Sequence, residues 1–378
     1  MSKTARIILI VSFVIVVLGG LIFGWAYFFM KVPKLEVDQA SSQFEKIEAI
    51  DQWLAKLESK NKFNGGILIA KSGEPLLMKT YGYTDFRKDT PLTPQSAFRL
   101  ASVSKQFTAA GIMLLHEAER LDYDQPVNTY LEKFPYPGVT VRHLLTHTSG
   151  MPDLYMDLAD QHKETLGDTL SISEVAHLMK TYPEEALAAP GAVYAYNNTG
   201  YVLLAAIIES ISGLSFEQFM QENLFDPLQM KNTRVWNLFS TESTFPNKTK
   251  SFMNIIKAVP MSPSWLDGVA GDGAVFSSIE DFLIWDQFWY GNTLISAENL
   301  KEAFQTPTLA NGTDSDYGFG WTVANEQMVW HNGGWLGART AIIRRMDNKT
   351  CLVLLDNSLN ERHNDILQQI NQVVKTFE

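Results

Sequence analysis

The sequence predicts a mixed α/β protein of the α+β type: one antiparallel sheet assembled from both ends of the chain and flanked by helices, with a mostly helical insertion between. Three observations carry this expectation. Short apolar, turn-bounded runs cluster at 65–81 and return after 315. Helical periodicity with Pro and Gly punctuation fills about 122–310. Ahead of both lies Ile7–Met30, uncharged and apolar, bracketed by Lys3 and Arg6 before it and Lys31 and Lys34 after it.

As a helix, Ile7–Met30 would reach roughly 36 Å, enough to cross a hydrocarbon core of about 30 Å with some tilt. It exceeds the apolar region of a signal peptide, and no small-x-small cleavage site follows it. Residues 1–30 therefore read as a cytoplasmic tail and an N-terminal transmembrane signal anchor. Flanking basic residues balance on the two sides, so charge hardly decides the orientation. A short leading tail and a large trailing domain fit a single-pass protein whose main domain is extracytoplasmic. Trp25, Tyr27, Phe28 and Phe29 fit an aromatic belt at the outer interface. Gly20 and Gly24 offer a close-packing face for a homodimer.

Residues 31–43 read as a linker and 44–378 as one domain, with a helical subdomain at approximately 122–310. Ser41-Ser42 offers an N-cap for a helix with the apolar stripe Phe44, Ile47, Ile50, Trp53, Leu54 and Leu57. Gly65–Lys71 and Pro75–Tyr81 form a hairpin about the turn residues Ser72-Gly73-Glu74. The unbroken apolar run Ala109–Leu115 predicts a buried helix, because a helix apolar on every face has no side to give to water. Further helices are expected at Val141–Thr146, Ser171–Lys180, Gly200–Ile211, Ser215–Asn223 and Ser278–Tyr290, with a loop-like stretch over Asn232–Trp265. Strands are expected at Tyr317–Val323, Gln327–Trp330, Arg339–Arg345 and Cys351–Leu355, and an amphipathic helix through Ile366, Ile370 and Val374 closes the chain.

The 378 residues carry a net charge of −11, which argues against a nucleic-acid partner and a polybasic membrane-binding surface. Cys351 is the one cysteine, so no intramolecular disulfide is possible, and its apolar strand-like setting makes it a buried small hydrophobe. Gly-x-Ser-x-Gly, Walker, Gly-x-Gly-x-x-Gly and Cys-x-x-Cys patterns do not occur.

Four stretches could carry chemistry. Ser102 and Lys105 stand three apart at the mouth of the buried helix, a spacing that puts hydroxyl and amine on one face. The amine could take the serine proton if burial or nearby positive charge lowered its pKa from about 10.4. Tyr196 and Asn198 lie just ahead of a helix, where a phenol and an amide can orient a proton and hold a carbonyl. The alternative is an ordinary helix start with Asn197 or Asn198 as cap. Trp330-His331-Asn332-Gly333-Gly334-Trp335 joins two expected strands. Its glycines would let a ligand approach backbone N–H groups, with His331 a switchable donor beside them; a plain hairpin turn is the other reading. His143 and His147 have a helical metal-ligand spacing but no zinc motif around them, so His147 and Ser149 read as turn residues bonded to the backbone, and no metal is expected.

In this order, Ser102–Lys105, Tyr196–Asn198 and His331–Gly333 resemble the Ser-x-x-Lys, Tyr-x-Asn and His-x-Gly elements of the serine β-lactamase and penicillin-binding-protein superfamily. The closer resemblance is to its class C β-lactamase, D,D-peptidase and esterase branch. Phe98–Ser102, Leu144–Gly150 and Phe225–Met230 match as well, and the likeness runs from about residue 50 to the end. The resemblance implies acyl transfer without metal or organic cofactor. Ser102 would be the nucleophile, and Lys105 and Tyr196 would share proton transfer. The backbone N–H groups of Ser102 and Gly334 would form the oxyanion hole, with Asn198 holding the substrate's acyl-side amide or organising the lysine, and His331 and Gly333 on the substrate.

His331 stands where lactamases usually carry lysine, and a mostly neutral imidazole anchors a carboxylate less well than a permanent ammonium. The class C branch also fits the lack of a Glu-x-x-Leu-Asn motif. The expectation is a membrane-anchored serine hydrolase acting on a small ester or peptide. Within the class, a D,D-carboxypeptidase or weak β-lactamase is the alternative; outside it, a non-hydrolytic protein of the same fold that binds peptidoglycan or lipid.

Overall fold

The two ends of the chain meet in one sheet. A computed structural model describes residues 31–377 apart from Ser243 and 255–257, and before residue 31 only Arg6, Ser12, Phe13, Val17, Gly19 and Gly20. The expected anchor Ile7–Met30, with Gly24 of its pairing face, lies largely outside the described residues. Among those described, no single helix is long and apolar enough to cross a membrane.

Strands β1 (Gly65–Lys71) and β2 (Glu74–Tyr81) form the expected hairpin. Small pieces follow: β3 (Phe98–Arg99), β4 (Arg234–Val235) and β7 (Val275–Ser277) make a three-stranded sheet, and β5 (Phe252–Asn254) and β6 (Ala258–Pro260) a ribbon. The C-terminal strands are β8 (Thr322–Asn325), β9 (Met328–Trp335), β10 (Ala338–Arg345) and β11 (Thr350–Asp356). The main sheet has the order β2-β1-β11-β10-β9-β8 and every pairing is antiparallel. The seam between the chain ends is β1 on β11, with Gly65 opposite Asp356 and Lys71 opposite Thr350.

Side chains alternate across a strand, and both faces of this sheet are covered. Ile67, Ile69, Leu352 and Leu354 enter one core with helices α1 (Gln43–Glu58) and α6 (His363–Val374). Leu68, Ala70, Cys351, Val353 and Leu355 enter the other, larger core. That core also takes in side chains of α2 (Lys105–Glu117), α3 (Ile172–Thr181), α4 (Asn198–Ser212) and α5 (Ile279–Phe288). Burial on both faces is why β1 and β11 read as unbroken apolar runs. A buried ion pair, Arg344 Nε to Asp286 Oδ1 at 2.8 Å, ties β10 to α5.

Asn232–Trp265, expected to be loop-like, holds the short strands β4, β5 and β6, and other expectations change as well. The alternation Tyr317-Gly318-Phe319-Gly320-Trp321 mimics a strand, yet the strand starts only at Thr322. The aromatics are buried plugs, and the glycines let the chain press against other backbone: a Cβ on Gly318 would lie 2.2 Å from Ala303 O, and Gly320 has φ +77°. Phe44, placed in the apolar stripe of α1, is exposed, while Ile50, Trp53, Leu54 and Leu57 of the same stripe are buried. Residues 31–37, read as the start of a linker, are extended and docked on α1 and α6. Val32 and Leu35 are buried there, Trp53 Nε1 donates to Pro33 O, and Leu35 N–H donates to the Gln369 side chain.

Candidate active site

Ser102 sits where β3 turns into α2. Leu100 N–H donates to Val275 O on β7, and the Thr340 hydroxyl of β10 donates to Leu100 O at 2.7 Å, so the approach to the serine is held from both sides. Ala101 has φ +50°, and Ala101–Ser104 form a single 3-10 turn before the α-helix begins at Lys105. The serine is thus not inside the α-helix. In a 3-10 turn residues three apart eclipse, which keeps Ser102 and Lys105 on one face. Ser104 is structural: its hydroxyl accepts from Val275 N–H.

Lys105 is fully buried, and an ammonium in that position needs partners. Its Nζ donates to Asn198 Oδ1 and to the Asp272 carbonyl, both at 2.9 Å, and lies 5.0 Å from the Tyr196 ring centroid. Asn198 passes the link on, its amide donating to Asp153 Oδ2 at 2.9 Å. The same carboxylate accepts from Thr199 N–H, a favourable charge at the first turn of α4. The helix-start reading of this loop holds, with Asn197 as the cap. Asn197 caps α4 through Gly200 N–H, while Asn198 turns to the lysine. Tyr196 is half-exposed, and no protein group among the described residues bonds its hydroxyl.

β9 runs straight through the glycines to Trp335, and the hairpin turn is the next pair, Leu336-Gly337, both with positive φ. A two-residue turn makes Trp335 and Ala338 a hydrogen-bonded pair, so the following pair, Gly334 with Arg339, points its N–H and C=O outward. On that side β8 pairs with β9 only from Met328 to Trp330, which leaves Gly334 N–H facing the cleft. Gly333 lines the larger cavity and also has a structural use. A Cβ there would lie 2.3 Å from Leu100 O and 3.0 Å from Ser102 N, so the missing side chain brings β9 against the serine turn.

His331 is buried, and burial, helped by the Lys105 charge, pushes it down to about 3. The imidazole is therefore neutral at pH 7. A carbonyl only accepts, so Nδ1 carries the proton and donates to Asn332 O; Nε2 accepts from the Tyr317 hydroxyl, each at 2.7 Å. His143 and His147 hold separate backbone segments, accepting from Thr140 and Asn197 N–H respectively, and Ser149 accepts from Met151 N–H.

Two cavities flank the serine. One, of 240 Å³, has the buried Arg99–Asp267 ion pair and Asp272 in its wall; Tyr155 donates to Asp272 Oδ2 at 3.1 Å, and burial pushes the Asp272 carboxyl up against the opposing pull of Lys105. The other, of 460 Å³, is bounded by His331, Tyr317, Arg339 and His363. Ser102, Tyr196 and Gly334 line both. Asp153, Asp272, Tyr155 and Tyr317 were not singled out in the sequence. They lie in three separate segments, Asp153 and Tyr155 sharing one, and only tertiary structure joins them to the lysine and histidine.

Residues 50–375 match the Beta-lactamase family. The chain belongs to that family. Penicillin-binding protein 4* of Bacillus subtilis (strain 168) is 37% identical over 319 residues, 80% of this chain and 69% of that protein. The D-aminopeptidase of Brucella anthropi is 27% identical over 77% of this chain, which spans 55% of that enzyme's length. The octameric penicillin-binding protein homologue from Pyrococcus abyssi superposes with a TM-score of 0.72 at 26% identity, covering 87% of this chain and 77% of that one. D-Amino acid amidase from Ochrobactrum anthropi SV3 shares the fold, with a TM-score of 0.71 at 22% identity over 88% of this chain and 99% of that one. This β-lactamase relative is a serine hydrolase.

Proposed function

We propose that this β-lactamase-family protein hydrolyses a small ester or amide through a covalent acyl-enzyme on Ser102. The observation that carries the reading is the waist formed by Ser102, Tyr196 and Gly334 between the two cavities. A scissile carbonyl held at the waist has room for its acyl group on one side and its leaving group on the other. Ser102 Oγ bonds to the carbonyl carbon as its proton passes to the Lys105–Tyr196 pair. The carbonyl oxygen takes up the negative charge facing the N–H groups of Ser102 and Gly334. The pair then protonates the departing alcohol or amine, and water repeats the sequence to free the acid. Asn198, bonded to Lys105, holds the amine in register.

His331 favours a peptidase or esterase over a dedicated β-lactamase. It is neutral, and both its ring nitrogens are engaged by protein groups, so it offers a substrate carboxylate no permanent charge. Asp272 in the smaller cavity favours an acyl group that carries an ammonium, in keeping with relatives named D-aminopeptidase. Rates on a D-amino-acid p-nitroanilide, its N-acetylated form, a p-nitrophenyl ester and a chromogenic cephalosporin test this order. Cephalosporin turnover above the other three would reverse it, and none with any of them would favour a non-hydrolytic binding protein. Ile7–Met30 would anchor the enzyme with its catalytic domain outside the cytoplasm; full release of the intact chain by carbonate washing would contradict this.

A further inference from the structure

Tyr196 has a task that demands a fixed position and little of its own to fix it. Its ring is half-exposed, and among the described residues its hydroxyl has no protein hydrogen bond. What holds it is its neighbours in sequence, and both are held by one residue. Ala195 N–H donates to the His147 carbonyl at 2.9 Å, and Asn197 N–H donates to His147 Nδ1 at 3.1 Å. The His147 ring lies against Tyr196 itself, with centroids 4.3 Å apart and planes at 44°.

We propose that His147 is the positioning residue of Tyr196, clamping the residue before it and the residue after it while its ring backs the phenol. The inference rests on the reading of Tyr196 as part of the proton-transfer pair. Several features fit a residue retained for this geometry. His147 has φ +57°, a conformation that non-glycine side chains seldom adopt, and strain of this kind persists only where surrounding contacts hold it. Accepting from Asn197 at Nδ1 places its proton on Nε2, and that nitrogen is buried without a hydrogen-bond partner. It is enclosed by the rings of Tyr196, Tyr201 and Tyr317, with centroids 4.3–5.0 Å from the imidazole. A polar nitrogen left unpaired in a core is costly, so packing alone would be better served by an apolar ring. Only the neutral ring can accept from Asn197, and burial, with the Lys105 charge, holds His147 well below 6.5.

Two substitutions delete the acceptor in different ways. His147→Gly relieves the positive φ and removes the ring; His147→Phe keeps an aromatic ring and removes both nitrogens, of which only Nδ1 has a hydrogen-bond partner. His147→Asn tolerates the conformation and returns an oxygen close to where Nδ1 stood. With rates expressed per folded molecule, the proposal expects kcat on a p-nitrophenyl ester to fall at least about 30-fold in whichever of the first two folds, KM to stay within about threefold, and Asn to recover most of the loss. A Gly or Phe variant that melts lower but keeps kcat within about threefold of wild type would overturn the proposal and leave His147 a packing residue. Fluorophosphonate labelling separates this from failure of the parent reading. If wild-type Ser102 takes no label, the acyl-enzyme account falls; if it labels normally and the variants turn over normally, only the clamp does.

Discussion

Gly333→Ala is the smallest change that should disable this site. The added methyl carbon would lie 2.3 Å from Leu100 O, 2.6 Å from Thr340 Oγ1 and 3.0 Å from Ser102 N. Leu100 cannot give way freely, since its carbonyl accepts from Thr340 and its N–H donates to Val275. Restoring ordinary contact therefore requires β9 and the serine turn to part by about 1 Å, a displacement that costs on the order of 100-fold when it falls on reacting groups. It falls here on the two N–H groups proposed to face the oxyanion, those of Ser102 and Gly334. The stability cost should be the modest one of overpacking, about 1–3 kcal/mol. Stopped-flow acylation by a p-nitrophenyl ester, alongside a urea melt, measures both quantities. A Gly333→Ala variant that acylates within about threefold of wild type would show that the strand and serine turn need not touch for catalysis.

Three further outcomes follow from the same structure. Lys105→Ala should lower turnover at least about 1000-fold. It strands Asn198 Oδ1 and the Asp272 carbonyl without their donor, at about 1–3 kcal/mol each; kinetics with circular dichroism on the same sample would expose near-normal rates. Asp286→Ala leaves the Arg344 guanidinium buried and unpaired, and should cost about 3–5 kcal/mol in denaturant unfolding without changing kcat per folded molecule. His363 is pushed down to about 3 by burial, with Arg339 adding to the effect. On acidification the unfolded chain therefore takes up this proton first, and stability present above about pH 6.5 is lost as pH falls. His363→Leu should make the slope of unfolding free energy between about pH 6 and 4 shallower by about 1.4 kcal/mol per pH unit. The raised Asp356 carboxyl acts in the opposite sense in both proteins, so comparing slopes isolates the imidazole.

Local chemistry made much of this legible from sequence. The seam of the sheet follows from apolar runs at the two ends, because strands covered on both faces leave no polar alternation to hide them. The Ser102, Tyr196 and His331 stretches could be placed beside one another because each carries a short motif. What stayed hidden depends on distance along the chain. Asp153 and Asp272 approach Lys105 from segments 48 and 167 residues away, with no spacing to betray them. Gly333 reads in the sequence as room for a ligand; that it also admits Leu100 and Ser102 is visible only across the strands. The glycine–aromatic alternation at 317–321 has strand periodicity but the wrong residues for a ladder, and a buried plug satisfies the same pattern. His147 looked like a turn histidine and is one; that its turn clamps the tyrosine loop 49 residues later could be seen only in the fold.

The central claim is that Ser102 becomes acylated. Intact-mass measurement of wild-type and Ser102→Ala protein after exposure to a fluorophosphonate tests it most directly, with peptide mapping to locate any adduct. A single stoichiometric adduct on the peptide holding Ser102 is expected in the wild type and none in the variant. An adduct that persists in Ser102→Ala, or an unlabelled wild type, would contradict it.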